Sequence, residues 1–316
     1  MPLRIVYMGT PDFAVLPLHT LIQNNYSIVG VVTAPDKPAG RGQQIQTSAI
    51  KKYAVENNLP VLQPTNLKSE DFILDLKALQ PDVIIVIAFR MLPKVVWEIP
   101  PKGTINIHAS LLPQYRGSAP INWAIVNGET ITGVTSFYIN EMIDTGHVIL
   151  QKSVSIASTE TAGELHDTLQ ISAAELLLDT IKAVEVDSSK GISQDSIIGN
   201  EELKHAPKLT KEMCKIVWES SSISIYNHIR GFSPYPGAWT ILKKDNQTII
   251  LKIYFAEYIL EQHSFTPGKI IIDTKNIKIA TKDGFIIPID IQLEGKKRMK
   301  IEECMRGFSF ENTNVL

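Results

Sequence analysis

The sequence has little cysteine and no long apolar stretch. Its 316 residues include two cysteines, Cys214 and Cys304, too few for the disulfide framework of a small secreted domain. The longest apolar run, 83–89, has seven residues, whereas a membrane-spanning helix needs about 20. The first residues lack the long apolar core and cleavage site of a secretory signal. We therefore expect a cytoplasmic protein without membrane contact.

The spacings typical of metal and dinucleotide sites are also missing. Neither the two cysteines nor the seven histidines follow a C-x-x-C or H-x-x-x-H pattern, so we expect no metal. Gly9-Thr10-Pro11-Asp12 follows the first apolar run, where a dinucleotide-binding loop would begin, but it lacks the G-x-G-x-x-G spacing. A turn with an aspartate near a helix start explains this segment, and no nucleotide cofactor is expected.

The composition is that of an ordinary globular protein, with 44% hydrophobic and 20% charged residues. The length fits two domains of about 100–200 residues each. Charge is distributed unevenly: residues 1–206 hold 15 Lys and Arg against 21 Asp and Glu, while residues 207–316 hold 16 against 12. This asymmetry arises by chance or marks a surface that faces a polyanion, and both interpretations stay open here.

The first part of the chain alternates short β-rich runs with helical stretches. The β-rich runs are 3–9, 27–34, 61–63, 82–89 and 104–110, and the helical stretches are 12–24, 48–58 and 69–80. Such alternation predicts a mostly parallel sheet with right-handed crossovers. The capping-box spacing of Thr161 and Glu164 predicts a further long helix that ends near Val184.

The second part of the chain is rich in strands. Its β-rich segments are 239–242, 248–260, 268–273, 276–281 and 285–293, and Asp283-Gly284 is typical of a hairpin turn. We predict a small barrel or sandwich. A polar stretch separates the two parts, so we expect domains at 1–187 and 207–316 with a linker at 188–206.

The run 104–110 combines an apolar face with a polar face. Side chains alternate along a strand, so Asn106, His108 and Ser110 share one face. Buried polar groups need partners, and ligands of open α/β sheets bind beyond the carboxyl ends of the strands. The run therefore lines a ligand crevice or is an edge strand with one solvated face, and the pattern does not choose between them.

Two further segments carry candidate residues. Asp144-Thr145-Gly146 occurs once, whereas aspartic-protease chemistry needs two carboxylates, so Asp144 is a turn residue or an acid that faces His108. Residues 35–46 form a loop with Lys37 and Arg41, which is functional or a solvated surface loop.

Taken together, these motifs resemble a known family. The run from Asn106 to Ser110, the following Leu112-Pro113-Gln114-Tyr115-Arg116-Gly117 and the downstream Asp144-Thr145-Gly146 are similar to the signature of 10-formyltetrahydrofolate-dependent formyltransferases. Within that family, four segments resemble the methionyl-tRNA formyltransferases, namely 8–14, 34–42, 206–211 and 229–238.

The resemblance implies a fold and an activity. The fold is a doubly wound, Rossmann-like α/β domain followed by a small OB-like β-barrel domain. The activity is transfer of the formyl group of 10-formyltetrahydrofolate to the α-amino group of methionine on initiator methionyl-tRNA, for translation initiation. The protein would act as a monomer and use the folate as its co-substrate.

The resemblance also implies roles for residues of this chain. The catalytic residues would be Asn106, His108 and Asp144. The folate-binding residues would be Ser110, Leu111, Leu112 and Pro113, together with Phe89, Arg90 and Leu92. The tRNA-binding residues would be Lys37, Arg41, Lys208 and Lys211.

The implied chemistry suits these residue types. An amine that attacks a formyl carbon creates an oxyanion, and Asn106 with a protonated His108 could donate hydrogen bonds to it. The Asp144 carboxylate would favour the imidazolium and help to remove the amine proton, so no covalent enzyme intermediate is required.

Alternative functions stay open at this point. The nearest is a formyltransferase that acts on a nucleotide-linked amino sugar. A glycinamide-ribonucleotide transferase would not need residues 207–316, and a formyltetrahydrofolate hydrolase would pass the formyl group to water. A non-catalytic RNA-binding module would not need Asn106, His108 and Asp144 together.

Overall fold

The computed structural model describes residues 2–39, 44–186, 191–199, 202–244, 247–273 and 276–315. The chain divides into two compact units. The first comprises residues 1–117, 131–155 and 166–205, and the second comprises 118–130, 156–165 and 206–316. Two segments that the sequence assigned to the first domain, 118–130 and 156–165, therefore group with the second unit. Among the described residues, no helix combines the length and apolarity needed to cross a membrane.

The first unit is built on a seven-stranded sheet. The strands before residue 156 are β1 (Arg4–Gly9), β2 (Ser27–Val32), β3 (Lys37–Ala39), β4 (Gln44–Gln46), β5 (Val61–Leu62), β6 (Val83–Ile87), β7 (Thr104–His108), β8 (Arg116–Gly117), β9 (Ile131–Tyr138) and β10 (Val148–Ser155). The sheet has the order β5-β2-β1-β6-β7-β9-β10. Its first five strands pair in parallel, and β9 and β10 add an antiparallel edge. The predicted parallel sheet is confirmed.

The strand order makes the sheet doubly wound. From β1 the chain builds outward through β2 and β5, then returns to the other side of β1 and continues with β6 and β7. The order therefore reverses between β1 and β6, where open α/β sheets bind their ligands. β6 is buried along its whole length, as expected for a strand covered on both faces.

β7 lies inside the sheet and not at its edge. It pairs in parallel with β6 and antiparallel with β9, so both of its sides are hydrogen-bonded. The interpretation of residues 104–110 as an edge strand with one solvated face is therefore wrong. The sequence could not decide this point because the segment that forms β9 was not recognised as a strand.

The α-helices are α1 (Val15–Gln23), α2 (Ala49–Glu56), α3 (Glu70–Ala78), α4 (Lys94–Trp97), α5 (Pro120–Val126), α6 (Ala162–Val186), α7 (Ser222–Gly231) and α8 (Ile301–Gly307). The four predicted helices, now α1, α2, α3 and α6, begin within about three residues of their predicted starts, and four further helices among the described residues were not predicted. The capping box of α6 is confirmed, because the Glu164 amide donates to the Thr161 hydroxyl and the Thr161 amide donates to the Glu164 carboxylate at 2.8 Å. The Ser48 hydroxyl caps α2 by accepting from the Lys51 amide.

The second unit contains an antiparallel barrel. After the short β11 (His205–Ala206), its strands are β12 (Ala238–Lys244), β13 (Gln247–Leu260), β14 (Ile270–Ile272), β15 (Ile277–Ala280), β16 (Gly284–Leu293), β17 (Met299–Lys300) and β18 (Thr313–Val315). The sheet runs β14-β15-β16-β13-β12-β18. A bridge between Lys269 and Asn314 brings its two ends together, so the barrel is nearly closed. The predicted turn at Asp283-Gly284 is confirmed, since it joins β15 to β16.

Residues 191–199, which the sequence placed in a linker, belong to the first unit and pair with β10. Ile192 and Val148 exchange two backbone hydrogen bonds of 2.7 and 2.8 Å at the start of β10. The segment continues as a short 3-10 helix, Gln194–Ser196. This polar stretch therefore crosses the surface of the first unit and packs against β10, at the edge of its sheet.

Candidate active site

Asn106 and His108 lie at the carboxyl end of β7. Asn106 is level with Val86 on β6, and His108 is level with Thr135 on β9. Because side chains alternate, both project from the same face of the sheet, next to the point where the strand order reverses. Within the described ranges, the Asn106 carboxamide has no hydrogen-bond partner in the protein, so its donors are free for a ligand.

His108 is 7% exposed and has a hydrogen-bond acceptor near each ring nitrogen. Its Nε2 atom lies 2.9 Å from the Tyr115 carbonyl oxygen, and its Nδ1 atom lies 3.9 Å from Asp144 Oδ2. A carbonyl oxygen only accepts, so Nε2 carries a proton in this arrangement. The distance from Nδ1 to the carboxylate is too long for a direct hydrogen bond, which leaves Nδ1 able to bond a ligand or water.

Asp144 is held in a tight turn with φ of +53°. Aspartate is one of the few residues that adopts this left-handed conformation readily. Its Oδ2 atom accepts a 2.9 Å hydrogen bond from the Gly117 amide, and its side chain is 12% exposed. Gly146 completes the turn because a Cβ atom there would overlap the Tyr138 carbonyl oxygen. Of the two alternatives for Asp144, a turn residue and an acid that faces His108, both describe its geometry.

The loop that follows β7 is fastened by the buried Thr135 hydroxyl. This hydroxyl donates to the Ser110 carbonyl at 2.6 Å and accepts from the Leu112 amide at 3.0 Å. The Gln151 side chain donates to the Leu112 carbonyl at 2.7 Å and to the Thr135 hydroxyl at 2.9 Å. Every hydrogen-bonding site of the Thr135 hydroxyl is therefore used, and residues 110–113 have a defined path beside the catalytic candidates.

The side chains predicted to bind folate are exposed to different extents. Ser110, Leu112, Pro113 and Leu92 are buried, and the Ser110 hydroxyl donates to the Gln114 carbonyl at 2.7 Å. Leu111 and Phe89 are half-buried. The buried members shape the loops, so a ligand would meet mainly their backbone.

Arg90 is exposed and bonded to a neighbouring loop. Its guanidinium donates to the carbonyl oxygens of Pro64 and Thr65, and it lies 5.7 Å from the centre of the Phe89 ring. These contacts fix the loop after β6.

The residues predicted to bind tRNA are exposed wherever they are described. Lys37 begins β3, which pairs antiparallel with β4, and Arg41 lies outside the described residues. In the second unit Lys208 and Lys211 are both exposed. The Lys211 ammonium lies 5.5 Å from the centre of the Trp239 ring.

Sequence reasoning missed the residues that support the site from other elements. Thr135 and Gln151 lie on β9 and β10, and the enrichment of β-branched residues in 131–137 was a usable strand signal. Tyr115 contributes through its backbone carbonyl, which has no sequence signature. Gln194 bonds to the backbone of the Asp144 turn from the stretch interpreted as a linker.

In the part of the chain that the structure describes, no cluster of three or more His, Cys, Asp or Glu side chains could hold a metal ion. The site is instead composed of a carboxamide, an imidazole and a carboxylate. This set supplies hydrogen-bond donors and a proton acceptor, which suits transfer of an acyl-type group.

Both parts of the sequence match family models. The model described as formyl transferase matches residues 3–181, and the model described as formyl transferase, C-terminal domain, matches residues 208–309. Among similar proteins, the methionyl-tRNA formyltransferase of Flavobacterium johnsoniae is 54% identical over 98% of this chain and 98% of its own length. That of Bacteroides thetaiotaomicron is 50% identical over 97% and 96%, respectively.

Solved structures share the fold at lower identity. The N-formyltransferase of Helicobacter canadensis, in complex with folinic acid and dTDP-3-aminofucose, has a TM-score of 0.65 at 22% identity over 90% of this chain and 98% of its own. HypX of Aquifex aeolicus, in complex with tetrahydrofolic acid, has a TM-score of 0.64 at 18% identity over 96% of this chain, which spans about half (47%) of HypX. With family models matching both parts and close relatives along nearly its whole length, the chain belongs to the formyl transferase family, among the methionyl-tRNA formyltransferases.

Proposed function

We propose that this protein transfers the formyl group of 10-formyltetrahydrofolate to the α-amino group of methionine on initiator methionyl-tRNA. The observation that carries the proposal is the convergence of Asn106, His108 and Asp144 at the carboxyl end of β7. The relatives named above carry the same activity in their names along nearly the full length of the chain.

Asn106 and His108 stabilise the tetrahedral intermediate. The amine nitrogen attacks the formyl carbon, and the carbonyl oxygen becomes an oxyanion that needs donors already in place. The Asn106 carboxamide has no partner among the described residues, and we propose that it and the Nδ1–H of a protonated His108, two positions along the same face of β7, both donate to this oxyanion. The Tyr115 carbonyl accepts from Nε2 and keeps the ring in this orientation.

Asp144 handles the proton that the amine loses. Its carboxylate accepts this proton directly or through a water molecule and then gives it to N10 of the folate, as the bond from the formyl carbon to N10 breaks and the oxyanion returns to a carbonyl. The Gly117 amide holds the carboxylate in place, and the nearby imidazolium is balanced by its negative charge. The transfer goes directly from folate to amine and forms no covalent bond to the enzyme.

The folate lies along the loops that follow β6 and β7. Ser110, Leu111, Leu112 and Pro113 form one side, fastened by Thr135. Phe89, Arg90 and Leu92 form the other side, and the bonds of Arg90 to residues 64–65 stiffen it. Both loops leave neighbouring strands at the same edge of the sheet, where a pteridine ring would bind between them.

The acceptor tRNA binds basic residues in both parts of the chain. We assign the catalytic domain to 1–187, the linker to 188–206 and the tRNA-binding domain to 207–316, which holds 16 basic against 12 acidic residues. Lys37 and Arg41 contact the acceptor end, and Lys208 and Lys211 contact its flank. Lys211, Tyr235 and Trp239 line a cleft of about 580 Å³ in the second unit. Cations next to exposed aromatic rings are typical of RNA-binding surfaces.

The experiment compares acceptors. The purified protein is incubated with 10-formyltetrahydrofolate and initiator methionyl-tRNA, a nucleotide-linked amino sugar, or no amine, and the formylated product and released tetrahydrofolate are measured. We expect rapid transfer to methionyl-tRNA alone. Preferential transfer to the amino sugar would support the alternative function, release of formate without an amine would indicate a hydrolase, and RNA binding without turnover would indicate a binding module.

Replacement of one loop cation tests the tRNA assignment. We expect Arg41→Leu to raise KM for methionyl-tRNA by about tenfold while KM for the folate stays within about twofold, because a phosphate contact is lost away from the pteridine. Steady-state kinetics with each substrate varied in turn measure both constants. Equal losses for the two substrates would show that the loop serves the folate site or the fold.

A further inference from the structure

Gln194 is buried, with 1% exposure, and all of its hydrogen-bonding groups are used around the Asp144 turn. Its Nε2 atom donates to the carbonyl oxygens of Asp144 at 3.0 Å and Gly146 at 2.8 Å. Its Oε1 atom accepts from Arg116 Nε at 3.0 Å and Nη2 at 2.7 Å. The two carbonyls accept and the guanidinium donates, so the orientation of the amide is unambiguous.

These bonds connect the two segments that determine where the Asp144 carboxylate lies. The first is the turn 144–146, where the Gln194 side chain donates hydrogen bonds to the carbonyl oxygens of Asp144 and Gly146. The second is β8, where Arg116 precedes Gly117, whose amide bonds Asp144 Oδ2 at 2.9 Å. Gln194 therefore links the backbone of Asp144 to β8, the strand whose Gly117 amide bonds the Asp144 carboxylate.

The segment that carries Gln194 is itself anchored close by. Ile192 and Val148 exchange two backbone hydrogen bonds, and the Ile198 amide closes a turn on the Gln194 carbonyl at 2.9 Å. The glutamine thus approaches the turn from a fixed position. A left-handed aspartate without these bonds would be free to relax toward more common backbone angles.

We propose that Gln194 is a positioning residue for formyl transfer, which holds the Asp144 carboxylate at its working distance from His108 and Gly117. This inference rests on the proposed role of Asp144. Gln194 does not touch the substrates, so its loss lowers the rate of the chemical step and leaves substrate binding largely intact. A misplacement of about 1 Å at a reacting group costs up to about 100-fold in rate.

The test is a double-mutant cycle. Gln194→Met keeps the side-chain length but removes every hydrogen bond, and Asp144→Asn removes the carboxylate while asparagine still tolerates the left-handed turn. We expect Q194M to lower kcat by about 10- to 100-fold with either KM changed less than about threefold. In the D144N background we expect Q194M to lower kcat by less than about threefold, because the group it positions is already gone.

A matched control separates positioning from general damage. Gln170 is another glutamine of the first unit, half-buried, and its side chain donates to the Asp12 carbonyl at 2.7 Å rather than to the Asp144 turn. We expect Gln170→Met to keep kcat within about twofold of the wild type. If Q194M does not fold, Gln194→Glu retains the contact to Arg116 but cannot donate to the two carbonyls. Its loss of kcat should likewise be large in the wild-type background and small in the D144N background.

A second readout does not depend on activity. The Gly117 amide bonds the Asp144 carboxylate, so its NMR resonance follows protonation of that carboxylate in an acid titration. We expect this pH-dependent shift to shrink by at least half in Q194M and to persist in Q170M. If the wild type transferred no formyl group, the proposed function would be contradicted. The Gly117 signal would still show whether Gln194 holds the Asp144 carboxylate in place.

Two results would overturn the inference. One is an equal loss of kcat on adding Q194M to the wild type and to D144N, which would mean that Gln194 supports only the fold. The other is an unchanged Gly117 titration in Q194M, which would mean that the carboxylate keeps its place without the glutamine.

Discussion

At the scale of single residues, His108 is defined by what surrounds it. One ring nitrogen lies 2.9 Å from the Tyr115 carbonyl oxygen and the other lies 3.9 Å from Asp144 Oδ2, so these two neighbours define the orientation of the ring. Burial to 7% exposure removes most competing water, which strengthens the electrostatic field of the ring at the adjacent crevice. The same imidazole on an exposed strand would have neither the orientation nor the field.

We expect His108→Ala to lower kcat for formyl transfer by roughly 10²- to 10⁴-fold, because an oxyanion donor and its positive charge are lost. Folate affinity, measured by fluorescence or calorimetry, should stay within about threefold, since the proposed folate-binding loop 110–113 is fastened by Thr135 and not by His108.

His19→Ala is the matched control for this prediction. His19 is bonded to the Tyr53 hydroxyl at 2.8 Å between α1 and α2, far from the catalytic set in the sequence. We expect its kcat to match the wild type. A loss below tenfold in H108A, with folate affinity intact, would remove His108 from the mechanism.

At the scale of elements, a side chain from one segment can accept hydrogen bonds from the backbone amides that begin a helix elsewhere in the chain. The Ser221 hydroxyl caps α7 by accepting from the Ser224 amide. Asp283, in the turn between β15 and β16, adds a second acceptor, since its Oδ1 atom accepts from the Ser222 amide at 2.7 Å. The hydrogen bond from the Ser222 backbone lowers the pKa of Asp283 from 3.8. The hairpin turn thus stabilises the start of a helix.

We expect Asp283→Asn to destabilise the protein by about 0.5–1 kcal/mol at pH 7, an amount limited by the exposure of this carboxylate. Because the pKa is lower in the folded protein, the carboxylate stabilises the fold fully above its ordinary value of 3.8. The contribution is lost as the pH falls through the folded pKa.

The measurement for Asp283 is the difference in melting temperature between wild type and variant as a function of pH. The difference should be largest near neutrality and should vanish in strong acid. The control is Glu219→Gln, an exposed acid just before α7. A difference that persists unchanged below pH 3 would contradict a role for the charge.

The β3–β4 hairpin depends on a polar anchor at its base. The Lys51 ammonium forms an ion pair with Asp36, and the Gln63 amide donates to the other oxygen of Asp36 at 3.0 Å. The hydrogen bond from Lys51, and then that from Gln63, lowers the pKa of Asp36, so the carboxylate stays charged at neutral pH. The anchor immediately precedes Lys37.

We expect Asp36→Asn to raise KM for methionyl-tRNA by about 3- to 10-fold, because a loosened hairpin must be ordered when the tRNA binds. KM for the folate should not change, and steady-state kinetics give both values. Lys182→Ala is a suitable control, since it removes an exposed ammonium from α6. An equal effect on the two substrates would place the anchor in the folate site.

At the scale of the whole molecule, the charge asymmetry predicts how the binding of tRNA depends on salt. The C-terminal residues 207–316 carry a net positive charge, while residues 1–206 carry a net negative charge. Each phosphate that is neutralised by a lysine or arginine releases a counterion, so binding weakens as salt rises. Folate, which is a small ligand, releases few such ions.

We expect KM for methionyl-tRNA to rise roughly 10- to 100-fold between about 50 and 200 mM salt, with KM for the folate changing less than about threefold. Lys211→Ala should reduce the slope of log KM against log salt by about 1. A slope that is the same for both substrates would mean that phosphate contacts do not hold the tRNA.

Much of this fold was predictable because local patterns agree with the final structure. Each predicted strand of the first sheet contains the observed one, and the capping box and the Asp283-Gly284 turn depend on neighbours a few residues away. β9 and β10 were missed, and with them the fact that β7 is an inner strand. Residues 191–199 were predicted to belong to a linker, because the bonds that attach them to β10 and to the Asp144 turn join residues far apart in sequence.

The sequence by itself determined which residues are candidates for the site, since Asn106, His108 and Asp144 lie in motifs whose spacing is local. Only the tertiary structure decided how they are arranged. Asp144 meets His108 through a turn after β9, Thr135 fastens the loop at 110–113, and Gln194 reaches the same turn from 50 residues further along the chain. These bonds join residues far apart in sequence, and no local propensity encodes a contact that exists only once the sheet has formed.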